Sequence, residues 1–448
     1  MDYETFKQAV IARCQALGIA DYELYYQAAE ATSVGFFRQE INQFSSYCQG
    51  GICFRCILNG KMGYAATEEL SAAEAIRLVD TAADNAAALE SEEPEFLGEG
   101  GQTYLPFDRA LYPLPSTEEL IEAGLATQKA LYEADPAVID GTTSQALSEK
   151  ATTAIFNSRG LDLCYVNHTA GLVAVAVVSD GSEMANAADF QLKALGTIDR
   201  QALAGKVVAE AKAKLGGETP ESGTYPILFT PEAMSDLLQT FSGIFSAKAA
   251  HKGLSKLAGA EGTAIASEWV SIMDDPFHPD NPSPQPFDAE GSPTAPKTLV
   301  EKGILKTLLY DLKYAHLAGK KTTGNASKGS YKSPIGISPF TMTITPGELS
   351  PEALLARAEG GICIDSLTGL HAGADPVSGD FSLQSAGYLI KNGRKDQRIK
   401  NFTVAGNFYD LLKNITAVGN DLRLPKALGT TAFGAPSVLV STLSVAGK

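Results

Sequence analysis

Three successive stretches, "TTSQALSEKATTAIFNS" (Thr142–Ser158), "LDLCYVNHTAGLVAVAVVSD" (Leu161–Asp180) and "MANAADFQLKA" (Met184–Ala194), read as consecutive β-strands. A helix is predicted before them, near residues 117–134, and another after them, "RQALAGKVVAEAKAKL" (Arg200–Leu215). Strands that follow one another without an intervening helix pair antiparallel, so this segment predicts an α+β layer rather than alternating parallel βαβ units.

Toward the N-terminus the same elements recur. Phe6, Val10, Ile11, Cys14 and Leu17 have helical spacing, and Gly18 is a stop signal. "DYELYYQAAEATSVGFFRQEINQFSSY" (Asp21–Tyr47) supplies aromatic and β-branched runs, and "GICFRCILNGKMGYAAT" (Gly51–Thr67) predicts a hairpin about Asn59-Gly60. An Ala-rich amphipathic helix, Ser71–Glu90, closes this part. Ser91–Pro115 then turns acidic and rich in Gly and Pro, which marks a linker or long irregular connection. Beyond a second break at Gly216–Pro226, one helix leads to many short strands. These include Lys297–Leu312, Phe340–Gly347, Gly360–Leu367, Asp380–Arg394, Arg398–Gly406 and Ser437–Gly447. Their Gly and Asn-Gly punctuation predicts a mostly antiparallel, curved or barrel-like sheet. The expected division is an α/β domain over 1–95, an α+β domain over 116–214 and a β-rich domain over 222–448.

The 448 residues carry a formal charge of −16, which argues against a nucleic-acid surface, because phosphate binding needs clustered Lys and Arg. The one basic run, Lys391–Lys400, contains an Asn-Gly turn and reads as a solvated hairpin tip. No apolar run reaches membrane-span length, and the first ten residues lack the pattern of a signal peptide, so the expected location is the cytoplasm, without membrane contact. Six cysteines then fit reduced thiols. Cys48, Cys53 and Cys56 contain a C-x-x-C, but no second knuckle accompanies it, and Cys53 and Cys56 fall on opposite faces of a strand. They are expected to be buried strand thiols.

No G-x-S-x-G, S-x-x-K, P-loop or G-x-G-x-x-G pattern occurs. The five histidines, His168, His251, His278, His316 and His371, are too dispersed to pair on one helix face, as a zinc peptidase requires. Asp274, Asp275, Asp280, Asp288 and Glu290, together with His278, crowd one Pro-rich segment that offers oxygen ligands for a hard cation. Their spacing matches no calcium loop, and the segment is expected to be a stiff surface excursion. Pro231–Gly253 reads as one amphipathic helix capped by Thr230. Met234, Leu237, Leu238, Phe241, Ile244 and Phe245 form its inward stripe, and Asp236, Gln239, Ser242 and Ser246 stay outside. That outer face holds no nucleophile and base.

Several long stretches resemble the PmbA/TldD family: Pro286–Ala326 ("PFDAEGSPTAPKTLVEKGILKTLLYDLKYAHLAGKKTTGNA"), Asp375–Arg394 ("DPVSGDFSLQSAGYLIKNGR") and Val404–Leu422 ("VAGNFYDLLKNITAVGNDL"). Weaker likeness runs through Ser33–Tyr47 and Gly60–Ser71. In the TldD branch of that family a helix carries H-E-x-x-x-H and a later Cys completes a zinc site. The resemblance places this slot at Leu238–Gly243, "LQTFSG", so Leu238, Gln239 and Gly243 stand where the ligands and base would be. The later segment Asn420–Val440 contains no Cys. What the resemblance implies is the PmbA or TldE branch: a subunit with no catalytic, cofactor-binding or metal residues and no cofactor. Such a subunit pairs with a TldD-like metallopeptidase and helps enclose a chamber for unfolded peptides. The alternative is a stand-alone homodimeric peptide-binding or regulatory protein.

Overall fold

The structure, a computed structural model, describes residues 1–90, 93–106, 113–281, 283–428 and 431–448. The chain divides into two compact units. The N-terminal unit holds Met1–Leu215 with Gln285–Thr294 and Ala326–Gly336, and the C-terminal unit holds Gly216–Pro284, Ala295–Asn325 and Ile337–Lys448.

In the N-terminal unit, α1 (Tyr3–Leu17) starts where the Asp2 carboxylate accepts the Thr5 N–H at 2.8 Å, and it ends at Gly18 in the left-handed region. β1 (Asp21–Phe37) and β2 (Glu40–Leu58) form a long antiparallel hairpin. Both of its turn residues, Arg38 and Gln39, have positive φ, as a two-residue hairpin turn requires. Neither is glycine, and the strain is met by buried Gln128. Its Oε1 accepts the Gln39 N–H at 2.7 Å, and its amide donates to the Phe36 and Thr142 carbonyls. The expected Asn59-Gly60 turn leads into β3 (Lys61–Thr67).

α2 (Ala72–Ala88) packs on this hairpin. A Cβ at Gly63 would lie 1.9 Å from the Ala82 carbonyl oxygen, so only glycine admits the helix this close. After α3 (Thr117–Ala134) come β4 (Thr143–Asn157), β5 (Asp162–Ser179) and β6 (Met184–Leu192), then α4 (Arg200–Ala213). β4 returns to pair with β1, giving one antiparallel sheet in the order β3-β2-β1-β4-β5-β6. Strands from both sides of the acidic Gly/Pro stretch thus share one sheet.

The two-residue period sorts the faces of this sheet. Leu24, Ile52, Phe54 and Cys56 pack with α1 and α2, while Val34, Phe36, Ala146 and Leu172 pack with α3 and α4. Tyr25, Cys53 and Ile155 lie on the other face, with Phe287, Ala289 and Ala326. Of the Ser91–Pro115 linker, residues 91, 92 and 107–112 lie outside the described residues. The part between them is a strap: the Gly98 carbonyl accepts Asn157 Nδ2 at 2.8 Å, and the Gly100 N–H donates to the Arg159 carbonyl at 2.9 Å.

The C-terminal unit has two sheets. Strands Gly223–Phe229, Ile362–Thr368, Asp380–Lys391, Arg394–Asn407 and Val438–Ala446 close into a five-stranded ring, because Arg394–Asn407 pairs with both Asp380–Lys391 and Val438–Ala446. The expected hairpin tip is Asn392-Gly393, both with positive φ. The second sheet includes Ile272–Asp274, Lys297–Glu301, Thr341–Ile344 and Thr431–Ala435. The architecture is α+β, mostly antiparallel, with a barrel in its C-terminal region.

The predicted single helix Pro231–Gly253 is broken. α5 (Pro231–Phe241) gives way to a 3-10 turn over Ser242–Phe245, and a short helix follows at Ala247–His251. Ser242 and Gly243 are weak helix formers, and the tighter turn sends Ile244 and Phe245 together into the core. Ser246, expected outside, is instead buried and caps the short helix by accepting the Ala249 N–H.

Candidate functional site

Position follows from packing on α5. Thr230 accepts the Ala233 N–H, and Pro231 opens the helix, as the sequence predicts. The inward stripe is buried, with Leu238 fully inside the apolar core of the C-terminal unit among Phe229, Leu237 and Phe241. Gln239 is exposed, and Gly243 is exposed on the 3-10 turn. The three positions that the family resemblance assigns to a metal motif therefore do not converge: one points into the core and two lie at the surface. None offers an imidazole, thiolate or carboxylate, so this residue set does not fit zinc. Of the later segment Asn420–Val440, residues 429 and 430 lie outside the described residues.

The acidic segment Asp274–Gly291 is not a surface excursion. Asp274, Asp288 and Glu290 are buried, each below 5% exposed, and the Asp274 and Asp288 carboxylates satisfy backbone N–H groups. In the C-terminal unit, Asp274 Oδ1 accepts the Phe340 and Thr341 N–H groups at 2.8 and 3.0 Å, while Oδ2 accepts Asn325 Nδ2 at 2.8 Å and Lys297 Nζ at 3.3 Å. In the N-terminal unit, Asp288 Oδ1 accepts the Glu290 and Ser292 N–H groups and Oδ2 accepts the Ala326 N–H, all at 2.9 Å. Asp280 is exposed, and its N–H donates to His278 Nδ1 at 3.2 Å. The five carboxylates are thus divided between the units. Among the described residues, no three His, Cys, Asp or Glu side chains form a group able to hold a metal ion.

The thiols separate by burial. Cys53 and Cys56 lie on opposite faces of β2 and are buried as expected, with the Cys56 thiol pushed up to about 11 by desolvation. Cys48 is exposed, on the half of β2 that β3 does not reach. Cys14 is pushed up to about 12 and Cys363 to about 11, both chiefly by burial.

Sequence reading missed the buried polar layer of the N-terminal unit. Arg55 and Glu23 are 3% and 1% exposed and pair through Nε and Oε1 at 2.7 Å, with Asn157 Nδ2 donating to Glu23 Oε2 at 3.3 Å. Lys328 extends over the Tyr25 ring at 5.1 Å from its centroid and donates to the Tyr331 carbonyl at 3.3 Å. Burial pulls its ammonium below the ordinary lysine range. These residues are far apart in sequence, and only the pairing of β1 with β2 and the return of 285–294 and 326–336 bring them together.

Residues 222–447 match the model of the PmbA/TldA metallopeptidase C-terminal domain, 22–86 that of domain 1 and 112–215 that of the central domain. The chain belongs to the PmbA/TldD family. Among solved structures, a Thermotoga maritima MSB8 protein named as a candidate modulator of a DNA gyrase is 30% identical. It superposes with a TM-score of 0.89, over 99% of this chain and 100% of that one. TldE from Thermococcus kodakarensis shares the fold at 23% identity and a TM-score of 0.85, over 99% and 100% of the two chains. Metalloprotease PmbA of Escherichia coli O157:H7 is 23% identical over 416 residues, which is 91% of this chain and 88% of that protein. The chain is thus a metallopeptidase-like protein of the PmbA/TldD family. Among the described residues, no helix is long and apolar enough to cross a membrane.

Proposed function

We infer that this chain is the non-catalytic subunit of a TldD/TldE-type zinc metalloprotease acting on unfolded or flexible peptides. The partner, a TldD-like metallopeptidase chain, carries the zinc, and this chain supplies part of the chamber wall. The observation that carries the reading is Leu238, which turns the first ligand position into core packing while Gln239 and Gly243 present nothing able to bind or activate water. The fold shared with TldE and the span of the PmbA/TldA metallopeptidase models support the branch. The same reading assigns no catalytic, cofactor or metal role to Leu238, Gln239 or Gly243. It divides the chain at 1–95, 116–214 and 222–448, which the three family models support. It also places the protein in the cytoplasm, supported by six cysteines that form no disulfide.

The test is zinc content and cleavage of an unstructured peptide, measured for this chain alone, for a TldD-like chain alone and for their mixture. Cleavage that requires the mixture, with zinc retained only by the TldD-like chain, is the expected result. Zinc-dependent cleavage by this chain alone would sink the reading.

A further inference from the structure

A thiol and an amine meet in the N-terminal unit from distant parts of the chain. Cys53 lies directly opposite Tyr25 in the β1–β2 pairing, on the face of the sheet away from α1 and α2. Lys328 reaches this pair from the returning segment Ala326–Gly336, with Nζ 5.1 Å from the centre of the Tyr25 ring and hydrogen-bonded to the Cys53 side chain. The segment is fastened on both sides of Lys328. The Ala326 N–H donates to Asp288 Oδ2 at 2.9 Å, and the Tyr331 hydroxyl and Lys332 Nζ both donate to Glu68 Oε1 at 2.6 Å. A Cβ at Gly51 would lie 2.3 Å from the Tyr331 ring, so glycine lets the segment sit directly on β2. The amine is therefore held against the sulfur, which is the condition for a fast reaction between them.

We propose that Cys53 and Lys328 form a peroxide-responsive cross-link, an S–N bond that ties the returning segment covalently to β2. The thiolate sulfur attacks one oxygen of hydrogen peroxide and breaks the O–O bond. Cys53 becomes a sulfenic acid, and the departing hydroxide takes up the thiol proton as water. The Lys328 amine then attacks that sulfur, and the S–O bond breaks. Hydroxide leaves with one amine proton as a second water, so that sulfur is oxidised by two electrons and the peroxide is reduced.

Three features favour this outcome over the ordinary fates of a sulfenic acid. First, no second thiol competes. Cys48 and Cys56 lie on the opposite face of β2, Cys164 lies on that same opposite face beyond β4, Cys14 packs with Cys56, and Cys363 belongs to the C-terminal unit. Second, burial lowers the Lys328 pKa, which enlarges the share of amine that has a free lone pair. Third, Cys53 is 4% exposed, so bulky thiols are kept from it, whereas hydrogen peroxide is barely larger than water. The inference does not rest on the reading of the chain as a protease subunit.

The experiment is brief treatment of the full folded chain with hydrogen peroxide, then unfolding, alkylation of free thiols and tryptic mass spectrometry. The wild type should yield one ion joining the Cys53 and Lys328 peptides, two hydrogens lighter than their sum, which dithiothreitol separates. Lys328→Arg keeps a cation in place but has no amine that can deprotonate. It should lose the joined ion entirely and let Cys53 proceed to sulfinic acid, with circular dichroism as the check on folding. Four results would each overturn the proposal: a wild-type Cys53 found only as free thiol or sulfinic acid, a disulfide from Cys53 to another cysteine, a joined ion that persists in Lys328→Arg, or an equal yield from chain oxidised in denaturing urea.

Discussion

Arg55→Met should be among the most damaging single substitutions in the N-terminal unit, and a second change beside it should repair most of the damage. Burial is the largest single influence on Arg55 and opposes its charge, but the Glu23 carboxylate at 2.7 Å, Tyr64 and Glu290 together outweigh it and hold the guanidinium charged. Removing the cation leaves Glu23, 1% exposed, as an uncompensated buried carboxylate, which costs about 3–5 kcal/mol. For a unit of this size that corresponds to a fall in Tm of roughly 6–20 °C. Replacing both partners with apolar residues of similar volume removes the uncompensated charge. Asn157 keeps its bond to the Gly98 carbonyl in either case. Glu23→Leu with Arg55→Met should therefore return to within about 1 kcal/mol of wild type or exceed it. Urea unfolding of the wild type, both single variants and the double variant, followed by far-UV circular dichroism, closes the cycle. A cost below about 1 kcal/mol for Arg55→Met, or a double variant no better than the single, would refute this account of the pair.

Three further outcomes are expected. With a thiol reagent at pH 8, Cys48 should react first and Cys14, Cys56 and Cys363 only on unfolding, because burial both hides these three and raises their pKa values; mass spectrometry of the labelled peptides reads the order. Asp288→Ala should cost about 3 kcal/mol or more, since it leaves three N–H groups without their acceptor, and limited proteolysis should then cut near residues 285–294. Glu74, bonded to Arg77 and Thr67, is held at about 2 rather than 4.5; it favours the folded state above the unfolded value, and that contribution disappears as pH falls from about 4.5 to 2. With Arg77 60% exposed the effect is about 1 kcal/mol, so Glu74→Gln should lower stability at pH 7 by that amount and leave it unchanged at pH 2, as read by thermal unfolding.

Local chemistry was legible in the sequence and distant pairing was not. Gly18, Asn59-Gly60, Asn392-Gly393 and the Thr230-Pro231 start each act through φ or a cap within a few residues, and each does so in the structure. The break at Ser242 was missed because the apolar spacing runs on through Ile244 and Phe245, which a 3-10 turn buries equally well. The Asp274–Gly291 segment was misread as surface because proline and carboxylates usually mark solvent. Here Asp274 and Asp288 are internal acceptors for backbone that arrives from 340–341 and 326. Closure of the C-terminal ring likewise depends on Thr403–Ala405 meeting Ser444–Ala446, a pairing without a local signal. The metal-motif slot at Leu238–Gly243 rests on the family resemblance alone, whereas the inward direction of Leu238 is legible in the apolar period.

The return of Gln285–Thr294 and Ala326–Gly336 to the N-terminal unit sets an order on biosynthesis. β1 waits for β4 until Asn157 has been made, and at ~5–20 residues per second the interval after α2 lasts roughly 3–14 s, with one side of β1 bare. Even the finished sheet leaves Tyr25 and Ile155 without Phe287 and Ala326 until the ribosome has passed residue 336. The first unit to emerge is therefore not complete until residue 336 has been made. A fragment cut at Leu215 would carry every strand of its sheet and still present an open hydrophobic face, a substrate for chaperones rather than a free-standing domain.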